Sequence, residues 1–159
     1  MFHVGLYNGS RKKNYQLVKK QLAALLDGEQ NLIANLSNAS ALLNLFLERI
    51  NWVGFYLVEN DELVLGPFQG LPACVRIPSG KGVCGAAATQ MKTIRVDDVH
   101  QFPGHIACDA ASQSEIVIPL IKNDRLIGVL DIDSPEKNRF DQLDETELID
   151  FAAILVSYL

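Results

Sequence analysis

No apolar run in this sequence approaches the roughly 18 residues that a membrane-spanning helix needs. The N-terminal stretch from Met1 to Gln16 also lacks the apolar core and small-residue cleavage site of a secretory signal. Positive charge is scarce: the net charge is −5. Arg11-Lys12-Lys13 and Lys19-Lys20 are the only basic clusters, and they read as the solvated face of a helix. A chain without a basic stripe has no footprint for a nucleic-acid backbone. Cysteine is also sparse. Cys74, Cys84 and Cys108 are spaced by 10 and 24 residues with no CxxC pair. That pattern fits neither a structural disulfide framework nor an ordinary zinc signature. The absences predict a soluble cytosolic protein without membrane or nucleic-acid partners, whose cysteines serve redox chemistry or simple burial.

What the sequence does have is a core: 48% of its 159 residues are hydrophobic and 21% are charged, enough for one globular domain spanning residues 1–159. Helical spacing of Leu17, Leu22 and Leu25-Leu26 predicts a helix over Tyr15–Leu26, stopped at Gly28. A broader apolar stripe predicts a second helix over Asn31–Ile50. From Asn51 the pattern turns aromatic and β-branched. It predicts a hairpin of 51–58 and 63–68 about the polar turn 59–62, and a short strand over 73–77. Pro78 to Gly82 then leads into an Ala-rich helix over 83–91. A strand over 93–96, a long loop over 97–114 and a second hairpin of 115–121 and 126–133 follow. The chain closes on an amphipathic helix over 143–159, capped by Asp141 or Asp144. The order predicts an α+β fold, with an antiparallel sheet of about six strands and helices segregated from it. Long structureless loops inside small domains are usually functional.

Several residues stand out against that background. Asp131 and Asp133 follow a core run two apart, so both carboxylates share one strand face. They are either solvated strand-end residues or a charged pair awaiting a partner. Glu115 begins the partner strand. A three-residue loop at Lys122–Asp124 would bring it opposite Asp131, and that loop is predicted; a two-residue loop would turn it to the other face. Three clustered carboxyls should raise at least one pKa enough to supply a proton. Trp52 and Tyr56 flank Gly54 on one strand face, leaving either an apolar slot or a gap that the core fills. Cys108 lies in the long loop, where access favours reactivity. Cys84 opens a helix, where the helix dipole favours a thiolate. Either cysteine could equally be inert and buried.

The stretches INWVGFYL, GKGVCG, HIACDAAS, SEIVIPL and IGVLDIDSP together resemble the free methionine-(R)-sulfoxide reductases, which are GAF-domain enzymes, from about Tyr15 to the C-terminus. The resemblance implies a GAF-like fold with helices mainly on one face of the sheet. It makes Cys108 the nucleophile toward free methionine sulfoxide, Cys84 its resolving partner and Cys74 a third cysteine that can take part in recycling but is less essential. It also makes Glu115, Asp131 and Asp133 pocket acids, with Glu115 the expected proton donor, and Trp52 and Tyr56 the wall for the substrate methyl group. Thioredoxin would be the reductant, a homodimer the assembly, and no metal or organic cofactor would be needed. The competing expectations are a GAF domain that senses a small ligand and a redox adaptor that turns nothing over.

Overall fold

The computed structural model describes residues 7–106 and 108–159; the first six residues and Ala107, which falls within the HIACDAAS stretch, lie outside them. Four helices and six strands follow one another as α1 (Arg11–Leu26), α2 (Leu32–Phe46), β1 (Trp52–Glu59), β2 (Glu62–Gly70), β3 (Arg76–Pro78), α3 (Gly82–Gln90), β4 (Ile94–Val96), β5 (Ser114–Lys122), β6 (Arg125–Ser134) and α4 (Gln142–Ser157). The strands form one sheet in the order β3-β2-β1-β6-β5-β4, with every neighbouring pair antiparallel. Among the described residues no helix is long and apolar enough to cross a membrane.

Side-chain alternation gives the sheet two different faces. Val53 and Phe55 of β1, Ile116, Ile118 and Leu120 of β5, and Leu130 and Ile132 of β6 pack into the main core with α1, α2 and α4. The intervening residues, Trp52 and Tyr56, Val117 and Val129, turn to the opposite face, which α3 covers through Val83, Cys84 and Ala87. Three helices therefore lie on one face and one short helix on the other. The site belongs to the second face.

Local chemistry accounts for the element ends. Asn31 caps α2 by accepting from the Ala34 N–H at 2.9 Å. Asp141 caps α4 in a capping box with Asp144. The second helix stops at Phe46, short of the expected Ile50. Arg49 is held at φ 59° to feed β1, its carbonyl accepting from Ser134 Oγ at 2.6 Å. The third strand is also displaced, to 76–78, leaving Ala73 and Cys74 in a loop.

The β5–β6 hairpin departs from the expected three-residue loop. Its turn is Asn123-Asp124, both at positive φ, and it pairs Lys122 with Arg125. A two-residue turn alone would send Glu115 to the wrong face. The register slips between Leu120 and Ile121, however, so that Leu120 faces Gly128 and Ile127 is the extra residue of a bulge. The bulge restores the parity. Glu115 ends opposite Asp133, and Val117, rather than Glu115, faces Asp131.

Candidate functional site

Burial of Leu130 and Ile132 among the helices forces Asp131 and Asp133 toward α3, and burial of Ile116 does the same for Glu115. The three carboxyls meet Cys84, which α3 supplies from its first turn. The Cys84 thiol lies 3.9 Å from Glu115 Oε1. Cys84, Glu115 and Asp131 are all buried, and their polar atoms fall within 4.8 Å of one another, the one such grouping among the described residues with metal-ligand spacing. Asp131 Oδ1 is buried and has no hydrogen-bond partner among these residues.

Such a cluster cannot be fully ionised at low cost. Burial, with the neighbouring carboxylates adding to it, pushes Glu115 well above the usual carboxylate range. Asp133 is raised by burial and then by Asp131. Burial raises Asp131 to about 6. Cys84 is likewise raised well above an ordinary thiol, by burial first and then by Asp131 and Glu115. It sits at the opening of α3, as expected, but the helix dipole does not make it a thiolate. Acid neighbours and burial prevail.

A cavity opens over the cluster, lined by Tyr56, Lys81, His105, Cys108 and the three acids among others. His105 Nε2 stands 3.9 Å from Glu115 Oε2, and burial lowers its pKa below that of an ordinary histidine, so the acids gain no fixed cation from it. Asn51 donates to Asp109 Oδ2 at 2.8 Å and to Ser112 Oγ at 3.1 Å, which ties the loop carrying Cys108 to the start of β1. His105, Asn51 and Ser112 were not singled out by sequence reasoning. His105 and Ser112 fall inside the stretch HIACDAAS and Asn51 inside INWVGFYL, but only the folded chain brings them together.

Of the two readings of the aromatic pair, an apolar slot or a gap that the core fills, the structure has the filled gap. Phe68 fills the space above Gly54, where an added Cβ would meet its Cβ at 2.3 Å. Trp52 stacks between Phe68 and Tyr56, with ring centroids 5.2 and 5.9 Å away. Tyr56 lines the cavity. Trp52 is absent from its lining and backs Tyr56 from behind.

Cys108 lies at the cavity, and its sulfur is bonded to Cys74 at 2.07 Å, with the Cα atoms 5.4 Å apart. The expected Cys84–Cys108 pairing is thereby corrected: Cys84 remains a buried free thiol against the acids. Cys74 takes part because β3 starts late and leaves it in the loop that approaches residue 108.

The GAF domain pattern matches residues 21–158. A protein of Escherichia coli named free methionine-R-sulfoxide reductase is 54% identical over 145 residues, 91% of this chain and 88% of its own. The reduced form of fRMsr of Staphylococcus aureus superposes with a TM-score of 0.90 at 55% identity, covering 100% of this chain and 99% of that one. Free methionine-R-sulfoxide reductase from Neisseria meningitidis, solved in complex with its substrate, gives a TM-score of 0.93 at 44% identity, covering 99% and 95%. The chain therefore belongs to the free methionine-R-sulfoxide reductases, a family of GAF-domain proteins.

Proposed function

We propose that this chain reduces free methionine (R)-sulfoxide to methionine, with Cys108 as nucleophile and Cys74 as resolving thiol. The Cys108 thiolate attacks the sulfoxide sulfur while a protonated carboxyl, Glu115 or a neighbour, delivers a proton to the departing oxygen. The oxygen leaves as water on taking a second proton, water then attacks Cys108 Sγ and returns a proton, the bond between Cys108 and the methionine sulfur breaks with its electron pair on methionine, and Cys108 is left as a sulfenic acid. The Cys74 thiol then displaces the sulfenic oxygen as water and forms the disulfide, and an external dithiol such as thioredoxin restores both thiols by exchange.

The observation that carries this reading is a half-buried cysteine, bonded to a second cysteine, at a cavity lined by three carboxyls raised in pKa. A carboxyl raised in this way keeps its proton to a higher pH than an ordinary one and can donate it. The unpartnered Asp131 Oδ1 is an acceptor for the ammonium group of an amino acid. Tyr56, stiffened by Trp52, is the apolar wall for the methyl group. Cys84 holds its proton against Glu115 and Asp131 and takes no part in the exchange.

The test is consumption of each free sulfoxide epimer, coupled to thioredoxin and thioredoxin reductase. The R epimer is expected to be consumed and the S epimer to persist, and Cys108→Ser is expected to fall to background. Turnover by the serine variant would remove the nucleophile. A wild-type protein inert toward both epimers, even with dithiothreitol, would remove the activity.

A further inference from the structure

The two cysteines of the disulfide are both half-buried, but they stand in different surroundings. Cys108 lines the cavity with the carboxyls, whereas Cys74 does not. Cys74 lies in the loop between β2 and β3, flanked by Leu71 and Val75, which are 64% and 65% exposed, the two most exposed large apolar side chains among the described residues. Pro72 beside them is also exposed. From Leu63 through Val75 the chain carries no charged residue. The first charge beyond, Arg76, is paired with Glu62 at 3.2 Å.

This apolar surface is held in place by backbone contacts. Trp52 Nε1 donates to the Leu71 carbonyl at 3.2 Å, Tyr56 OH to the Cys74 carbonyl at 3.0 Å, and the Leu65 N–H to the Val75 carbonyl at 2.9 Å. The sheet thus fixes the loop while its apolar side chains face water. Apolar side chains fixed in this way lose little freedom when a partner covers them. Exposed apolar side chains gathered in one short loop are candidates for a contact site.

We propose that Leu71, Pro72 and Val75 form the docking surface for a protein dithiol of the thioredoxin type, whose thiolate attacks Cys74. This rests on the reductase reading above. The incoming thiolate bonds to Cys74 Sγ, the Cys74–Cys108 bond breaks, and its electron pair leaves with Cys108 as a thiolate inside the cavity. The partner's second thiol, losing its proton, then displaces Cys74 as a thiol and closes the partner's own disulfide. Two electrons pass from the partner to the cysteine pair, and attack at Cys74 leaves the nucleophile where the next substrate binds. An uncharged apolar surface suits a protein that surrounds its own thiols with apolar residues and gives a charged tripeptide such as glutathione nothing to pair with.

Two experiments test this. In the first, the double variant Leu71→Ser/Val75→Ser is compared with wild type for turnover supported by thioredoxin and by dithiothreitol. A loss of about tenfold in kcat/KM for thioredoxin is expected, equivalent to about 1.4 kcal/mol, with dithiothreitol turnover within about twofold of wild type. An unchanged dependence on thioredoxin overturns the proposal, as does an equal loss with both reductants. Conversion of a wild-type dimer to a monomer by the double variant, read by sedimentation, also overturns it by assigning the surface to a second copy. In the second, oxidised protein is mixed with thioredoxin lacking its own resolving thiol, and the trapped mixed disulfide is mapped by mass spectrometry. Linkage to Cys74 is expected, and linkage to Cys108 overturns the proposal. The trap needs no sulfoxide, so it still reads the docking if wild type fails to reduce free methionine sulfoxide with dithiothreitol, a result that sinks the reductase reading alone.

Discussion

Asp131 is a carboxyl with one oxygen unsatisfied and a pKa raised to about 6 by burial. A folded-state value above the ordinary 3.8 means that its neutral form is the one the fold favours. Its contribution is therefore fully present below about pH 4 and is lost as pH rises through about 6. A shift of about two units corresponds to roughly 3 kcal/mol. The melting temperature of the ligand-free protein is expected to fall across this window, and Asp131→Asn should flatten the fall. Comparing the two proteins cancels His105, which titrates in the opposite sense. Parallel melting curves for the two would show that Asp131 is solvated. The cysteines give a second expectation at this scale. Cys74→Ser should release one methionine per active site and then stall with thioredoxin, whereas Cys84→Ser should continue to recycle. Product counted in a single turnover and then at steady state distinguishes them, and a stalled Cys84→Ser would return the resolving role to that residue. The acids, the aromatics and the loop of Cys108 were all legible as residue types in the sequence. The partner of Cys108 was not, because pairing depends on which loops meet in space, and spacings along the chain do not say.

At the scale of elements, the β5–β6 hairpin decides whether the acids form a site. Its strands were legible from their apolar runs and the place of its turn from Asn123-Asp124, two residues that tolerate the left-handed conformation, but the expected three-residue loop gave way to a two-residue turn. The bulge at Ile127 left no mark in the local pattern, since a one-residue slip is set by what each face must bury. The adjoining Gly128 faces β1 closely: an added Cβ would lie 2.2 Å from the Tyr56 carbonyl oxygen and 3.0 Å from Leu57 Cα. Backbone cannot yield as a flexible side chain can. Gly128→Ala is expected to force β1 and β6 apart, at a cost of about 2 kcal/mol or more in urea unfolding. A variant as stable as wild type would mean that the two central strands can separate freely there.

Across the whole molecule, the two ends of the chain are joined through a buried acid. Asp144 of α4 accepts from Tyr15 OH at 2.6 Å, from Arg11 Nη2 at 2.9 Å and from Arg139 Nη1 at 3.0 Å, tying α1, α4 and the segment before α4 together behind the sheet. This side of the fold is a scaffold, with the chemistry placed on the other. The Cys74–Cys108 bond closes a loop across that second side, with a sequence separation of 34. Loop-closure entropy for such a span is worth at most about 4 kcal/mol. Reduction with dithiothreitol is therefore expected to lower the melting temperature by several degrees in wild type and in Cys84→Ser, and to leave Cys74→Ser unmoved. Equal responses of all three proteins would show that no bond joins 74 and 108.

The sequence by itself determined the class of the fold, the order of its elements, the face on which Asp131 and Asp133 stand, and the identities of the thiols and acids. These follow from periodicity and side-chain chemistry, which are local properties. Only the tertiary structure decided that a bulge brings Glu115 to those acids, that Phe68 fills the gap beside Trp52, and that Cys74 rather than Cys84 meets Cys108. Each of these depends on contacts between segments far apart in the chain, where the packing of two faces and the burial of charge outweigh local preference.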